Sequence, residues 1–128
     1  MIERISPPGV AAPRGPYSPA VRAGDFIYVS GQVPVDPATN QYVGGDVKVE
    51  TRQVLNNVKR ILEGCGASMS DVVRCGVFLT DVKDFAAMNE VYAEFFGEAK
   101  PARTTISIAA LPLPGAKVEI DAIAYKPK

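Results

Sequence analysis

Histidine is absent from all 128 residues. Its absence removes the side chain that most often serves as a general base near neutral pH and most often ligates a metal. Serine–histidine and cysteine–histidine catalysis are excluded with it. Thiols are scarce: Cys65 and Cys75 are the only two. They lack CxxC spacing and read as reduced core residues rather than a redox motif. Net charge is also missing, since 14 Lys+Arg balance 14 Asp+Glu. No overall field draws the chain onto phosphate backbones or anionic membranes, so nucleic acid is not an expected partner. The opening Met1-Ile2-Glu3-Arg4-Ile5 has no apolar signal-like stretch, and no later run is long enough to span a bilayer. The expectation is a soluble, cytoplasmic protein with no membrane partner. Chemistry, if present, falls to carboxylates, arginine, tyrosine, hydroxyls, backbone groups and water.

At 47% hydrophobic residues, 128 positions suit one domain over residues 1–128. Pro7, Pro8, Pro13, Pro16 and Pro19 bias the first twenty residues away from helix and make them an extended arm. The turn-like Ala23-Gly24-Asp25 predicts a hairpin between residues 17–22 and 25–30. Residues 33–40 carry Pro, Asp and Asn turn chemistry and read as a loop. From Asp46, a candidate N-cap, Val47, Val54, Leu55, Val58, Ile61 and Leu62 recur with helical spacing toward Gly64 or Gly66. Val72 to Leu79 has the β-branched and aromatic bias of a buried strand. Asp84 then opens a second helix with the apolar stripe Phe85, Met88, Tyr92, Phe95 and Phe96, and Gly97 and Pro101 stop it.

Two further strands alternate with period two. Around residue 103, Arg103, Thr105 and Ser107 share one face, while Thr104, Ile106 and Ile108 share the other. Around residue 120, Val118, Ile120, Ala122 and Ala124 oppose Glu119, Asp121, Ile123 and Tyr125. The Ile106 and Val118 faces are expected to meet the helices. The element order implies an α+β fold, a sheet with two helices on one side. Phe26, Tyr28 and Ile123 make the second side too apolar for water, and a partner subunit would cover it.

Several residues offer chemistry, each beside a plainer reading that pattern alone leaves open. Arg103 can hold a carboxylate through two parallel hydrogen bonds, or make a surface ion pair. Glu119 sits in an apolar run, where a carboxyl becomes a tunable proton carrier, or guards an exposed edge. Tyr17 can present its hydroxyl at a pocket mouth or cover the core. Ser30-Gly31 allows close backbone approach to a ligand, or forms a bulge. Asn89 is a buried hydrogen-bonding group or an exposed helical position. Gly44-Gly45 lacks the context of a phosphate-binding loop.

Taken in order, Gly15-Pro16-Tyr17, Tyr28-Val29-Ser30-Gly31-Gln32-Val33-Pro34, Leu55-Asn56-Asn57-Val58, Phe85-Ala86-Ala87-Met88-Asn89, Pro101-Ala102-Arg103-Thr104-Thr105 and Val118 to Ala124 resemble the RidA/YjgF family, across essentially the whole chain. The resemblance implies a chorismate-mutase-like α+β fold, with a mixed sheet and two helices on one face, assembled as a homotrimer with active sites between subunits. It implies hydrolysis of reactive enamines and imines such as 2-aminoacrylate and 2-aminocrotonate to 2-oxo acids and ammonia, without a cofactor or metal. Arg103 matches the family arginine that binds the substrate carboxylate, and Glu119 the acid that positions water. Tyr17, Ser30, Gly31 and Asn89 match further pocket positions. Thr105 stands where many members carry cysteine, which rules out thiol modification there, but its backbone can still donate to substrate. Two alternatives remain: a ribonuclease or translation inhibitor, against which neutral charge and missing histidine argue, and a protein that binds small metabolites or clients without turnover.

Overall fold

A computed structural model describes residues 1–128. Its largest element is helix α1, Val47–Gly64. Asp46 caps it by accepting from the Val49 backbone N–H at 3.0 Å, satisfying one of the donors a helix start leaves open. The periodic residues Val54, Leu55, Val58, Ile61 and Leu62 are all buried, and Gly66 follows in a left-handed conformation, φ +82°. Helix α2, Phe85–Phe96, buries Met88, Val91, Tyr92 and Phe96. Asp84 occupies its N-cap position but makes no capping bond. Asp81 instead accepts from Lys83 N in the preceding turn.

Both helices lie on one face of a six-stranded sheet. The strands are β1 Ile2–Ile5, β2 Ala20–Ala23, β3 Phe26–Gln32, β6 Val72–Leu79, β7 Ala102–Ser107 and β8 Val118–Tyr125. Their order across the sheet is β1-β2-β3-β8-β6-β7. All pairs are antiparallel except β6 and β7, which run parallel and are joined through α2. The element order thus led to the right class, α+β with two helices on one face. The extended arm begins with a paired strand, β1. Two local expectations need correction. The predicted loop at 33–40 includes part of a small hairpin, β4 Val35–Asp36 with β5 Gln41–Tyr42. The main hairpin begins at Ala20 instead of Tyr17.

The core is made by α1 and α2 against Ile27, Val29, Cys75, Val77, Leu79, Val118, Ile120, Ala122 and Ala124. The face of β7 turned toward this core is the opposite of the one expected. Arg103 pairs in register with Cys75 and Thr105 with Val77, both core residues, so the Arg103 face lies on the helix side. Ile106 pairs with Phe78 and is 45% exposed on the far side. Arginine can take the inward place because its stem is apolar and its guanidinium stacks on aromatic rings.

The far side of the sheet is uncovered. Phe26 is 40% exposed, Tyr28 45% and Tyr125 46%, and Phe26 and Tyr125 meet edge to face at 5.2 Å. A shallow groove of about 430 Å³ runs along this surface past Tyr28, Phe78, Ile106 and Ile123. No helix of the chain is long and apolar enough to cross a membrane.

Candidate active site

Strand β3 keeps regular register with β8 as far as Val29 and Ala122, then slips before Gln32 and Ile120. Ser30 and Gly31 are the residues inside this irregularity. The slip opens a cleft of about 360 Å³ lined by Arg14, Tyr17, Ser30, Gly31, Val33, Pro112 and Glu119. Ser30 is tied down twice: its backbone N–H donates to Pro19 O at 3.0 Å and its hydroxyl to Ser18 O at 2.6 Å. Tyr17 is 48% exposed at the mouth, with its hydroxyl accepting from Arg14 N at 3.1 Å.

Gly31 is where two elements come closest. A Cβ there would lie 2.9 Å from Glu119 Cδ and closer still to one carboxyl oxygen. The close approach glycine permits is therefore that of the Glu119 carboxyl to the β3 backbone. Glu119 is half-buried. Burial first, and the neighbouring Asp121 charge second, push its pKa above the usual carboxylate value, and no donor in the chain offsets them. Asp121, two residues on along the same strand, is served differently. It accepts from Gly76 N at 2.7 Å, where glycine again leaves the room the carboxylate needs. Of these two acids, Asp121 is held by a backbone donor and Glu119 has none.

A second group lies on the helix side of β7. The Arg103 guanidinium stacks over Tyr92 at 4.7 Å and Phe85 at 5.7 Å. No acidic side chain of the chain forms an ion pair with it, so its hydrogen-bonding edge has no carboxylate partner. Asn89 lies between Phe85 and Tyr92 on the same stripe of α2, by the i, i+4, i+7 spacing, and is half-buried. Thr105 is half-buried two residues along β7. Beneath Arg103 the Tyr92 hydroxyl is buried beside the Cys75 thiol. Burial pushes the Cys75 thiol up to about 11, which leaves it an inert core group.

The residues singled out in the sequence thus form two sets within one chain. Tyr17, Ser30, Gly31 and Glu119 share the cleft. Arg103, Thr105 and Asn89 gather at β7 and α2. Glu119 stands in one row with Phe78 and Ile106 on the uncovered face, whereas Arg103 stands in register with Cys75 on the helix face. A single chain does not bring the guanidinium and the carboxyl together. Arg14 and Pro112 line the cleft without having been singled out. The position of Arg14, three residues before Tyr17 on a proline-rich arm, was the available signal. No three Cys, Asp or Glu side chains converge as a metal site.

Comparison with known proteins agrees with this architecture. The sequence profile of the family described as Endoribonuclease L-PSP matches residues 9–126. A RutC family protein of Pyrococcus horikoshii is 52% identical over 126 residues, covering 98% of this chain and 99% of that protein. A goat (Capra hircus) protein named 2-iminobutanoate/2-iminopropanoate deaminase is 45% identical over 122 residues, covering 95% and 88%. Among solved structures, RidA from the Antarctic bacterium Psychrobacter sp. PAMC 21119 superposes with a TM-score of 0.91 at 42% identity, covering 96% of this chain and 98% of that one. With its mixed sheet, two one-sided helices and a profile match over nearly its whole length, the chain belongs to the Endoribonuclease L-PSP family, the RidA/YjgF family that its motifs resemble.

Proposed function

We propose that this protein is a 2-iminobutanoate/2-iminopropanoate deaminase that works as a homotrimer, each active site joining the Arg103 side of one subunit to the Glu119 cleft of the next. The observation that carries the reading is the Glu119 carboxyl, raised by burial and without a donor, in a cleft with Tyr17 and Ser30. A carboxyl whose pKa is raised above the ordinary carboxylate value by burial can accept and return a proton within one catalytic cycle. The goat relative named as such a deaminase supports the same chemistry. The uncovered apolar sheet face supports assembly, because exposed patches of this kind mark surfaces that bind protein.

In this mechanism 2-aminoacrylate or 2-aminocrotonate tautomerises to its imine, and the imine carboxylate docks on Arg103, whose rings hold the guanidinium plane in place. Glu119 of the partner subunit orients water toward the imine carbon and takes its proton. The C=N π electrons move to nitrogen, giving a tetrahedral amino alcohol. Glu119 returns the proton to that nitrogen to complete the neutral amino alcohol, then carries the hydroxyl proton to the same nitrogen as the C–N bond breaks, so that ammonia leaves and the carbonyl of pyruvate or 2-oxobutyrate forms. The reaction consumes one water and needs no cofactor. The compartment proposed is the cytoplasm, where dehydratases release such enamines.

The test generates 2-aminoacrylate with a serine dehydratase and follows pyruvate release with and without the protein. Acceleration over buffer is expected, and its absence removes the assignment. Light scattering should give a mass near three times 13.6 kDa. The family description also names an endoribonuclease, so RNA cleavage is assayed alongside. A net charge of 0 provides little of the attraction to phosphates on which such binding depends.

A further inference from the structure

The Glu119 cleft contains a cation, Arg14, that the imine-hydrolysis reading does not use. Arg14 sits on the arm beside Tyr17. Its backbone N–H donates to the Tyr17 hydroxyl at 3.1 Å, and Tyr17 N closes a short turn onto Gly15 O at 2.9 Å. Pro13 and Pro16 stiffen the chain on either side. The same turn that places Tyr17 thus fixes the Arg14 backbone.

Its bonding is incomplete. The one side-chain hydrogen bond runs from Nη2 to the backbone oxygen of Asn40, 3.0 Å. A guanidinium has five N–H donors in a planar fork, so most of its capacity is unspent. No carboxylate of the chain forms an ion pair with Arg14. Glu119, the one acid lining the cleft, does not serve as its partner. A guanidinium at hand would hold that carboxyl down, whereas burial and Asp121 push it up.

A positively charged fork lining a cleft, anchored by one bond to Asn40 O and lacking an anion, fits a ligand that brings a second negative group. Resting on the imine-hydrolysis reading, we propose that Arg14 forms a subsite for a side-chain carboxylate and that the preferred substrates include 2-imino dicarboxylates such as 2-iminosuccinate and 2-iminoglutarate. The α-carboxylate takes Arg103, the imine carbon faces the Glu119 water, and the side chain reaches the Arg14 rim. Water adds to the imine carbon, the C–N bond breaks, and ammonia and the 2-oxo dicarboxylate leave. No oxidant or reductant enters. Arg14 also offsets the repulsion between a doubly charged substrate and the two acids of β8.

The experiment measures kcat/KM for 2-iminosuccinate, made in place by an aspartate oxidase, and for 2-iminopropanoate, made by a dehydratase. Oxaloacetate and pyruvate are read through malate and lactate dehydrogenases, with the spontaneous rates subtracted. Arg14→Ala should lower the ratio of dicarboxylic to monocarboxylic kcat/KM by about tenfold or more, chiefly through KM, the loss expected for one charge-assisted hydrogen-bonded pair. Arg14→Lys should recover most of the ratio. A ratio within about twofold of wild type in Arg14→Ala, or equal losses on both substrates, overturns the subsite. Calorimetry with unreactive malate and lactate separates the two layers of the argument. If wild type turns over neither imine yet prefers malate in an Arg14-dependent way, the subsite stands and the hydrolysis reading falls. If malate and lactate bind wild type and Arg14→Ala alike, the subsite falls whatever the turnover.

Discussion

Gly31→Ala is the sharpest perturbation the structure offers, because one methyl group is aimed at one functional group. The added Cβ would sit 2.9 Å from Glu119 Cδ and 3.2 Å from Cγ. Carbon atoms pack at about 3.5–4.0 Å, so the carboxyl must retreat by roughly 0.6–1 Å or rotate away. Gly31 does not adopt a left-handed φ, so alanine meets no backbone penalty there. The clashing atoms belong to the end of a flexible side chain, and stability should fall by about 1 kcal/mol or less, the low end of overpacking costs. A displacement near 1 Å in a positioned catalytic group costs on the order of 100-fold in rate. The expected outcome is a protein that melts within a few degrees of wild type while kcat for 2-iminopropanoate drops about 100-fold. Steady-state kinetics and a thermal melt on one preparation check it. Wild-type kcat in Gly31→Ala would refute the idea that the Glu119 position governs the reaction.

Arg103→Ala should lower kcat/KM by roughly 10- to 100-fold, since a charge-assisted pair contributes about 1.5–3 kcal/mol, and guanidine added to the assay should restore part of it. Glu119→Gln probes linkage. The folded-state pKa of Glu119 is raised, so ionisation opposes folding: wild-type stability falls as pH rises from the ordinary carboxylate value through the raised one, and is unaffected below both. Glu119→Gln should therefore melt higher than wild type at neutral pH and level with it in acid; equal differences at both pH values would contradict the assignment. Glu50 is fully buried and accepts from the Tyr42 hydroxyl at 2.6 Å and Lys117 N at 2.7 Å. Glu50→Ala should destabilise by about 3 kcal/mol in urea titration, and Glu50→Gln, which keeps an acceptor, by clearly less.

Elements whose signal is local were the legible ones. Asp46 and the periodic valines and leucines of α1 announce a helix without reference to anything distant, and β6 reads directly from its β-branched run. Strand β1 gave no such signal, because its partner is Ala20–Ala23 and Ile2-Glu3-Arg4-Ile5 looks like any short polar–apolar stretch. On β7, alternation shows that Arg103 and Thr105 share a face, but only the parallel register with Cys75 and Val77 tells which face is inward. Reading Ile106 as the inward residue followed from hydrophobicity alone, and an arginine stacked on Tyr92 and Phe85 defeats that rule. The site suffered from the same gap. Its members were recognisable as residue types in family motifs, while their division between two faces depends on strand order, and the roles of Gly31 and Arg14 depend on neighbours far along the chain.

Placing the guanidinium and the acid on reverse sides of one sheet has a genetic consequence. In the proposed ring of identical subunits, a chain lacking Arg103 would still lend its acid to one neighbour, and a chain lacking Glu119 would still lend its arginine to the other. Two individually impaired alleles, co-expressed in equal amount, would rebuild about a quarter of the active centres by random assembly. Heterozygous loss at either position would then be partly masked, while damage to the shared apolar surface would silence every centre at once.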